Sequence, residues 1–330
     1  PLINKPLRGQ YPPGSTFKMI VALAALESGA VTEDFQTFCS GKLKYGNHTF
    51  HCWKKHGHGL QDMVSAIEHS CDVYFYEIAR KTGINRIAAM AERFGLGDIT
   101  GIGVGGERSG LVPTKEWKLA TIGEPWQGGE TLNVGIGQGH VLTTPLQLAM
   151  MTAQLANGGK RVRPRLMYSL DAEKETDGKT ADKEPAVPEQ NQSLGLSEHA
   201  LSIVLEGMRR VTNSPTGTAF RARIKDPAMA MSGKSGTAQV RRISKYERDT
   251  RVLKNKERAW RERDHALFVA FAPVETPRYA ISVVVEHGGG GSSVAGPIAR
   301  DILEATQKRD PARTPPMGVA AVRNQDKGKG

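Results

Sequence analysis

At 330 residues the chain can bury one sizeable core, or one core divided between two lobes. Its 38% hydrophobic and 24% charged residues are ordinary for a globular protein, and no apolar run reaches the roughly 18 residues that a membrane-spanning helix needs. A net charge of +11 admits an anionic partner, yet no finger spacing and no aromatic ribonucleoprotein box accompanies it, so nucleic acid is not the expected ligand.

The chain starts at Pro1 without Met and shows no signal peptide, which reads as a truncated N-terminus. Tyr11-Pro12-Pro13-Gly14 is incompatible with helix and leads into Ser15. Residues 16–28 are rich in Ala, Leu, Val and Met and are closed by Gly29, which predicts a buried helix. Residues 36–60, rich in Gly, His, Lys and Cys, predict an irregular excursion. Helical patterns return at 61–69, 72–82 and 84–94, and the glycine-dense stretch 95–140 predicts loops and short strands. Pro145 opens a helix ending near Asn157, and a short strand is expected at 161–168. The polar stretch 171–192 predicts a mobile surface loop, and 197–213 a helix. Strands are expected at 236–242, 266–273 and 279–286, then a Gly-rich turn and a last helix over 293–307. From Asp310 the chain is Pro-, Gly- and Lys-rich, and 310–330 is expected to be a disordered tail behind one domain, 1–309. Helices in the middle and strands toward the end predict an α+β arrangement, an antiparallel sheet with a separate helical region.

Ser15-Thr16-Phe17-Lys18 places a hydroxyl and an amine at i and i+3, on one face of a helix start where developing negative charge is favoured. A lysine one turn away can serve such a serine as base if it is held neutral. Alone the pattern arises about once by chance in a chain of this length, and an N-cap is the commoner role for a serine there. The chemistry rests on three boxes in order: Ser15-Thr16-Phe17-Lys18, Ser70-Cys71-Asp72 and Lys234-Ser235-Gly236-Thr237. Three other segments fit a box less well. Lys81-Thr82-Gly83 ends a helix, Ser169-Leu170-Asp171 borders the polar loop, and Tyr45-Gly46-Asn47 precedes the Ser70 box rather than following it.

Tyr11-Pro12-Pro13-Gly14-Ser15-Thr16-Phe17-Lys18 resembles the active-site region of class B penicillin-binding proteins. Ser70 to Tyr76, Gly135-Ile136-Gly137-Gln138-Gly139 and His265 to Val269 extend the resemblance toward the elongation-type members. It covers about residues 8 to 305 and implies an α/β (α+β) penicillin-binding protein/β-lactamase-like fold, with an antiparallel sheet of about five strands flanked by helices and a helical subdomain. It also implies a peptidoglycan D,D-transpeptidase that needs no catalytic cofactor. Ser15 would attack the carbonyl between the terminal D-Ala residues of a stem peptide, Lys18 would take its proton, and Ser70 would relay a proton to the leaving amine. Lys234 and Thr237, with Ser235 and Gly236, would hold the substrate carboxylate, and the N–H groups of Ser15 and Thr237 would form an oxyanion hole. β-Lactams would acylate Ser15. The implied partners are a SEDS-type glycosyltransferase and elongation scaffold proteins, at the periplasmic face of the inner membrane, with an anchor N-terminal to this chain. Asp72 departs from the commoner Asn; ionised beside Lys18 it would favour the protonated amine, unless the pair shares a proton or Lys234 offsets it.

Cys39, Cys52 and Cys71 are the three cysteines, and an odd count argues against a pure disulfide framework. With His58 they form a soft donor set that suits a structural zinc ion (Zn2+), and some elongation-type relatives carry a metal there. His51 and His56 are rival nitrogen ligands, and a disulfide with one free thiol is the alternative. The run 241–264 holds ten Lys or Arg and five acidic residues and reads as a solvated insertion between strands, or as a contact for an anionic partner. Two other functions share the boxes. A β-lactamase would need a water-activating base, for which Glu130-Thr131-Leu132-Asn133 is the nearest segment, and a β-lactam sensor would stay acylated.

Overall fold

The structure, a computed structural model, describes residues 3–166, 192–241 and 243–311. The expected mobile loop, apart from Gln192, lies outside the described residues, as do the expected tail beyond Pro311 and the Ser169-Leu170-Asp171 segment.

After a one-turn helix α1 (Lys5–Arg8), a 3-10 turn at Gly14–Phe17 runs directly into α2 (Lys18–Glu27). Every residue from Lys18 to Ala25 is buried, and a helix covered on all sides belongs at a domain centre. Then follow α3 (Met63–Glu68), α4 (Asp72–Thr82), α5 (Ile84–Arg93), α6 (Lys115–Ile122), α7 (Gly128–Gly135) and α8 (Pro145–Ala156). The last three are α9 (Glu198–Asn213), α10 (Lys245–Asp249) and α11 (Gly296–Arg309). Helices α4, α5 and α9 pack around α2.

The strands are β1 (Thr37–Cys39), β2 (Lys42–Tyr45), β3 (His48–His51), β4 (Gly59–Gln61), β5 (Ser232–Ala238), β6 (His265–Ala272) and β7 (Tyr279–Val285). The main sheet is antiparallel in the order β5-β6-β7, with Lys234 opposite Val269 and Thr237 opposite Ala266. Its β6 is buried from Ala266 to Ala272, because α8 and α11 cover β6 and β7. Strand β5 is the edge and begins at Ser232, earlier than the expected 236–242, and α9 packs along it.

Four expectations are corrected. Residues 36–60 are ordered ribbons, β2–β3 nested inside β1–β4. Glycine here marks turns: Gly46-Asn47 closes the β2–β3 hairpin with Gly46 at φ +55°, as a tight hairpin loop demands. Within 95–140, α6 and α7 replace the expected short strands. The Thr114 hydroxyl caps the first, accepting the Trp117 N–H at 3.0 Å, and a Gln127–Glu130 box caps the second. Residues 161–166 form no strand; a single bridge joins Lys160 to Ser193. The main sheet among the described residues has three strands rather than about five, while the antiparallel sheet flanked by helices is as expected.

Candidate active site

Four backbone segments meet around Ser15, and glycines let them meet. Gly14, at φ +55°, lies against Thr237; a Cβ there would come within 2.5 Å of the Thr237 carbonyl oxygen. Gly14 also donates its N–H to the Gly137 carbonyl at 2.9 Å. The Gln138 amide reaches across to the Thr237 carbonyl at 2.8 Å. The turn that carries Ser15 is thereby wedged between the edge strand β5 and the 135–139 loop. Ser15 is half-buried in the 3-10 turn, and its carbonyl accepts the Lys18 N–H. In that geometry residues i and i+3 eclipse, so Ser15 and Lys18 share a face.

The second box arrives from the turn between α3 and α4. Ser70 sits there at φ +53°, a left-handed conformation that a serine adopts at a cost. Its hydroxyl stands between two amines: Lys234 Nζ donates to Ser70 Oγ at 2.8 Å, and Lys18 Nζ lies 3.2 Å from the same atom. Lys18 also donates to the Ser70 carbonyl at 2.9 Å and to Asp72 Oδ1 at 2.7 Å. Both lysines are fully buried. Burial pushes the Asp72 carboxyl above its usual range, while the neighbouring Lys18 charge and hydrogen bond pull the other way. Burial, and next the Lys18 charge, push the Lys234 amine well below the usual lysine value.

Lys18, Ser70, Asp72 and Lys234 therefore come together in one hydrogen-bonded cluster. The Ser15 hydroxyl makes no side-chain hydrogen bond among the described residues, because the Lys18 amine points to Ser70 and Asp72. Lys234 lies wholly inside, its Nζ on Ser70 Oγ and the Ser235 carbonyl, whereas Ser235 and Thr237 are half-buried.

Sequence reasoning missed Trp53. Its backbone N–H donates to Asp72 Oδ2 at 2.9 Å and its indole N–H to the Ser70 carbonyl at 3.1 Å, so one residue fixes both. Nothing local to Trp53 signals this, since the contact spans the β3–β4 connection. Gln138 stands within a recognised motif, but its bond to β5 is visible only in three dimensions.

Behind the cluster, Cys39, Cys52, His58 and Cys71 bring one donor atom each within 4.8 Å of the others. His58 Nδ1 faces the sulfurs, 3.6 Å from Cys39 and 3.5 Å from Cys52. All three cysteines are free thiols and buried, so no disulfide forms among them. A tetrahedral zinc with bonds of about 2.3 Å spaces its ligands by roughly 3.8 Å, and this donor set fits such an ion. The Asp72 N–H donates to Cys52 Sγ at 3.4 Å, which couples the sulfur cluster to the Ser70–Asp72 turn. Neither His51 nor His56 belongs to the cluster.

In the 241–264 run, Arg241 pairs with Glu247 at 2.6 Å and Arg258 with Asp264 at 3.1 Å, the second pair being buried. Arg251 pairs with Glu257 as well, so part of the run's charge is neutralised internally.

The penicillin binding protein transpeptidase domain family matches residues 1–304. Peptidoglycan D,D-transpeptidase MrdA of Haemophilus influenzae is 37% identical over 311 residues, covering 92% of this chain and 45% of that protein. MrdA of Escherichia coli K12 is 36% identical over 328 residues, covering 97% of this chain and 50% of that protein. The chain thus spans about half the length of the curated relatives it matches. Among solved structures, Pseudomonas aeruginosa PBP2 in complex with WCK 5153 is similar, with a TM-score of 0.78 and 40% identity over 92% of this chain and 63% of that one. The complex between PBP2 and MreC from Helicobacter pylori gives a TM-score of 0.79 and 32% identity over 94% of this chain and 52% of that one. Three boxes on one cluster, a matching fold and relatives above a third identity lead to one conclusion: this chain belongs to the penicillin-binding protein transpeptidase family.

Proposed function

We propose that this chain is the catalytic domain of an elongation-type peptidoglycan D,D-transpeptidase. The observation that carries the mechanism is the Ser70 hydroxyl held between Lys18 and Lys234, beside the Ser15 turn. Ser15 Oγ attacks the carbonyl of the penultimate D-Ala, and its proton passes into the Lys18–Ser70–Lys234 network. Three buried charges are unfavourable together; pairing Lys18 with Asp72 leaves Lys234 as the amine most readily neutral. The N–H groups of Ser15 and Thr237, brought together by Gly14, stabilise the oxyanion. Ser70 then gives a proton to the amine of the departing D-Ala, and an ester remains on Ser15. An amine from a neighbouring stem attacks that ester, forms the cross-link and releases Ser15. Ser235 and Thr237 meet the substrate carboxylate, and Lys234 supports it from within. No step calls for a catalytic cofactor.

Cys39, Cys52, His58 and Cys71 hold a structural zinc that braces the Ser70–Asp72 turn from behind. The solved complex of a similar PBP2 with MreC supports an elongation scaffold protein of that kind as a partner, while a SEDS-type glycosyltransferase partner and the periplasmic face of the inner membrane follow from the family resemblance alone. No helix among the described residues is long and apolar enough to cross a membrane. The nearest candidate for a β-lactamase base, Glu130, is engaged elsewhere, which favours the transpeptidase reading. The Glu130 carboxylate is taken by Lys118 at 2.8 Å and by the Gln127 N–H at 2.6 Å, where it caps α7.

Intact mass after incubation with penicillin tests the reading. One adduct on the native chain and none on Ser15→Ala is the expected pair of results. Rapid steady hydrolysis of nitrocefin, instead of a stoichiometric burst, would refute transpeptidase chemistry in favour of a β-lactamase.

A further inference from the structure

The tip of the β2–β3 hairpin, the α4–α5 junction and the starts of α6 and α7 enclose a cavity of about 390 Å³. That volume is within the roughly 300–1,000 Å³ of sites that hold small ligands. None of the catalytic candidates lines it. Its charge has a single sign: Arg80, Arg86 and Lys115 line it, and no carboxylate does. Arg80 is spoken for by Glu77 at 2.8 Å. Arg86 and Lys115 have no acidic partner among the described residues, unlike Arg241, Arg251 and Arg258 of the basic run. Tyr45 and Asn85 also line it, with no side-chain hydrogen bond among the described residues, and Trp126 supplies an apolar wall. Donors without acceptors on one side of a cavity describe a receptor for an anion with a flat apolar neighbour.

Position gives the anion a context. Asp72 opens α4 at the catalytic cluster, and Thr82 closes it at the cavity. Eleven helical residues span about 16 Å at 1.5 Å each.

We propose that this cavity binds a carboxylate of the peptidoglycan strand, on a stem remote from the bond being cut. The inference rests on the D,D-transpeptidase reading and deepens it. The guanidinium and ammonium groups of Arg86 and Lys115 clamp the carboxylate, and the strand is thereby held on the domain that carries Ser15.

The test uses soluble uncross-linked glycan strands with pentapeptide stems, either with free side carboxylates or with those carboxylates amidated. They are titrated against the full chain carrying Ser15→Ala, and against the same chain with Arg86→Ala and Lys115→Ala added. Loss of the two cations is expected to weaken binding about tenfold. The difference should vanish for amidated strands and shrink at about 0.5 M salt. Equal binding by both proteins, or no binding by either, overturns the cavity proposal. In parallel, penicillin acylation is followed in chains that keep Ser15, with and without the two cation substitutions. A full mass adduct in both leaves the transpeptidase reading standing whatever the titration gives, and failure of the native chain to acylate overturns that reading instead.

Discussion

Lys234 Nζ lies 2.8 Å from Ser70 Oγ, joining the edge strand to the turn before α4 across 164 residues of sequence. That bond makes the second and third boxes one device. Lys234→Met should keep the fold, since a long unbranched side chain fills the same volume, but should slow penicillin acylation about 10²–10⁴-fold. Stopped-flow acylation with a chromogenic β-lactam measures it. A loss under threefold would place Lys234 outside the proton path.

The same amine predicts a pH limb. Burial holds its folded value well below the usual 10.5, so the folded chain binds fewer protons there than the unfolded chain. Unfolding free energy contributed by Lys234 then rises with pH between the folded value and about 10.5, where the unfolded state still carries the proton. Acylation should rise over the lower part of this range as the amine becomes neutral, and Lys234→Met should flatten that limb. An unchanged pH profile in the variant would assign the limb to another group.

Ser70 carries strain as well as a hydroxyl, with its φ at +53°. Ser70→Gly removes the hydroxyl and relaxes the backbone; Ser70→Ala removes only the hydroxyl. Both should lose most acylation, yet the glycine variant should be the more stable by about 1 kcal/mol. Thermal or urea unfolding compares them, and equal stability would show that the turn is not strained.

Gly14→Ala should be far more damaging than its size suggests. The new Cβ would sit 2.5 Å from the Thr237 carbonyl oxygen, and the φ of +55° disfavours any side chain. Separating the Ser15 turn from β5 by even about 1 Å should cost roughly 10² in acylation rate. Retention of more than a third of the native rate would mean that the two segments need not touch.

Metal content tests the sulfur cluster. Chain purified without chelator should contain about one equivalent of zinc, lost in Cys39→Ser or His58→Ala, and strong chelators should lower the unfolding temperature. Less than a tenth of an equivalent would sink the proposal.

Long periodic stretches were legible without coordinates. The buried α2, the amphipathic α5 and α9, and strands β6 and β7 all follow from residue pattern, because burial on one side or on every side writes itself into local sequence. The ribbons of 36–60 and helices α6 and α7 were not legible, because glycine density reads as loop whether the glycines serve hairpin turns, caps or close packing. Local sequence also carried the three boxes, their order and the donor residues of the sulfur cluster. Distances between them were decided by the tertiary structure alone. That Lys18 turns to Asp72, that Lys234 meets Ser70, that Trp53 holds the turn and that cations line a cavity at the far end of α4 all depend on contacts between segments remote in sequence. Side-chain chemistry is set residue by residue, but its ionisation and its partners are set by burial and neighbours, which only the folded chain supplies.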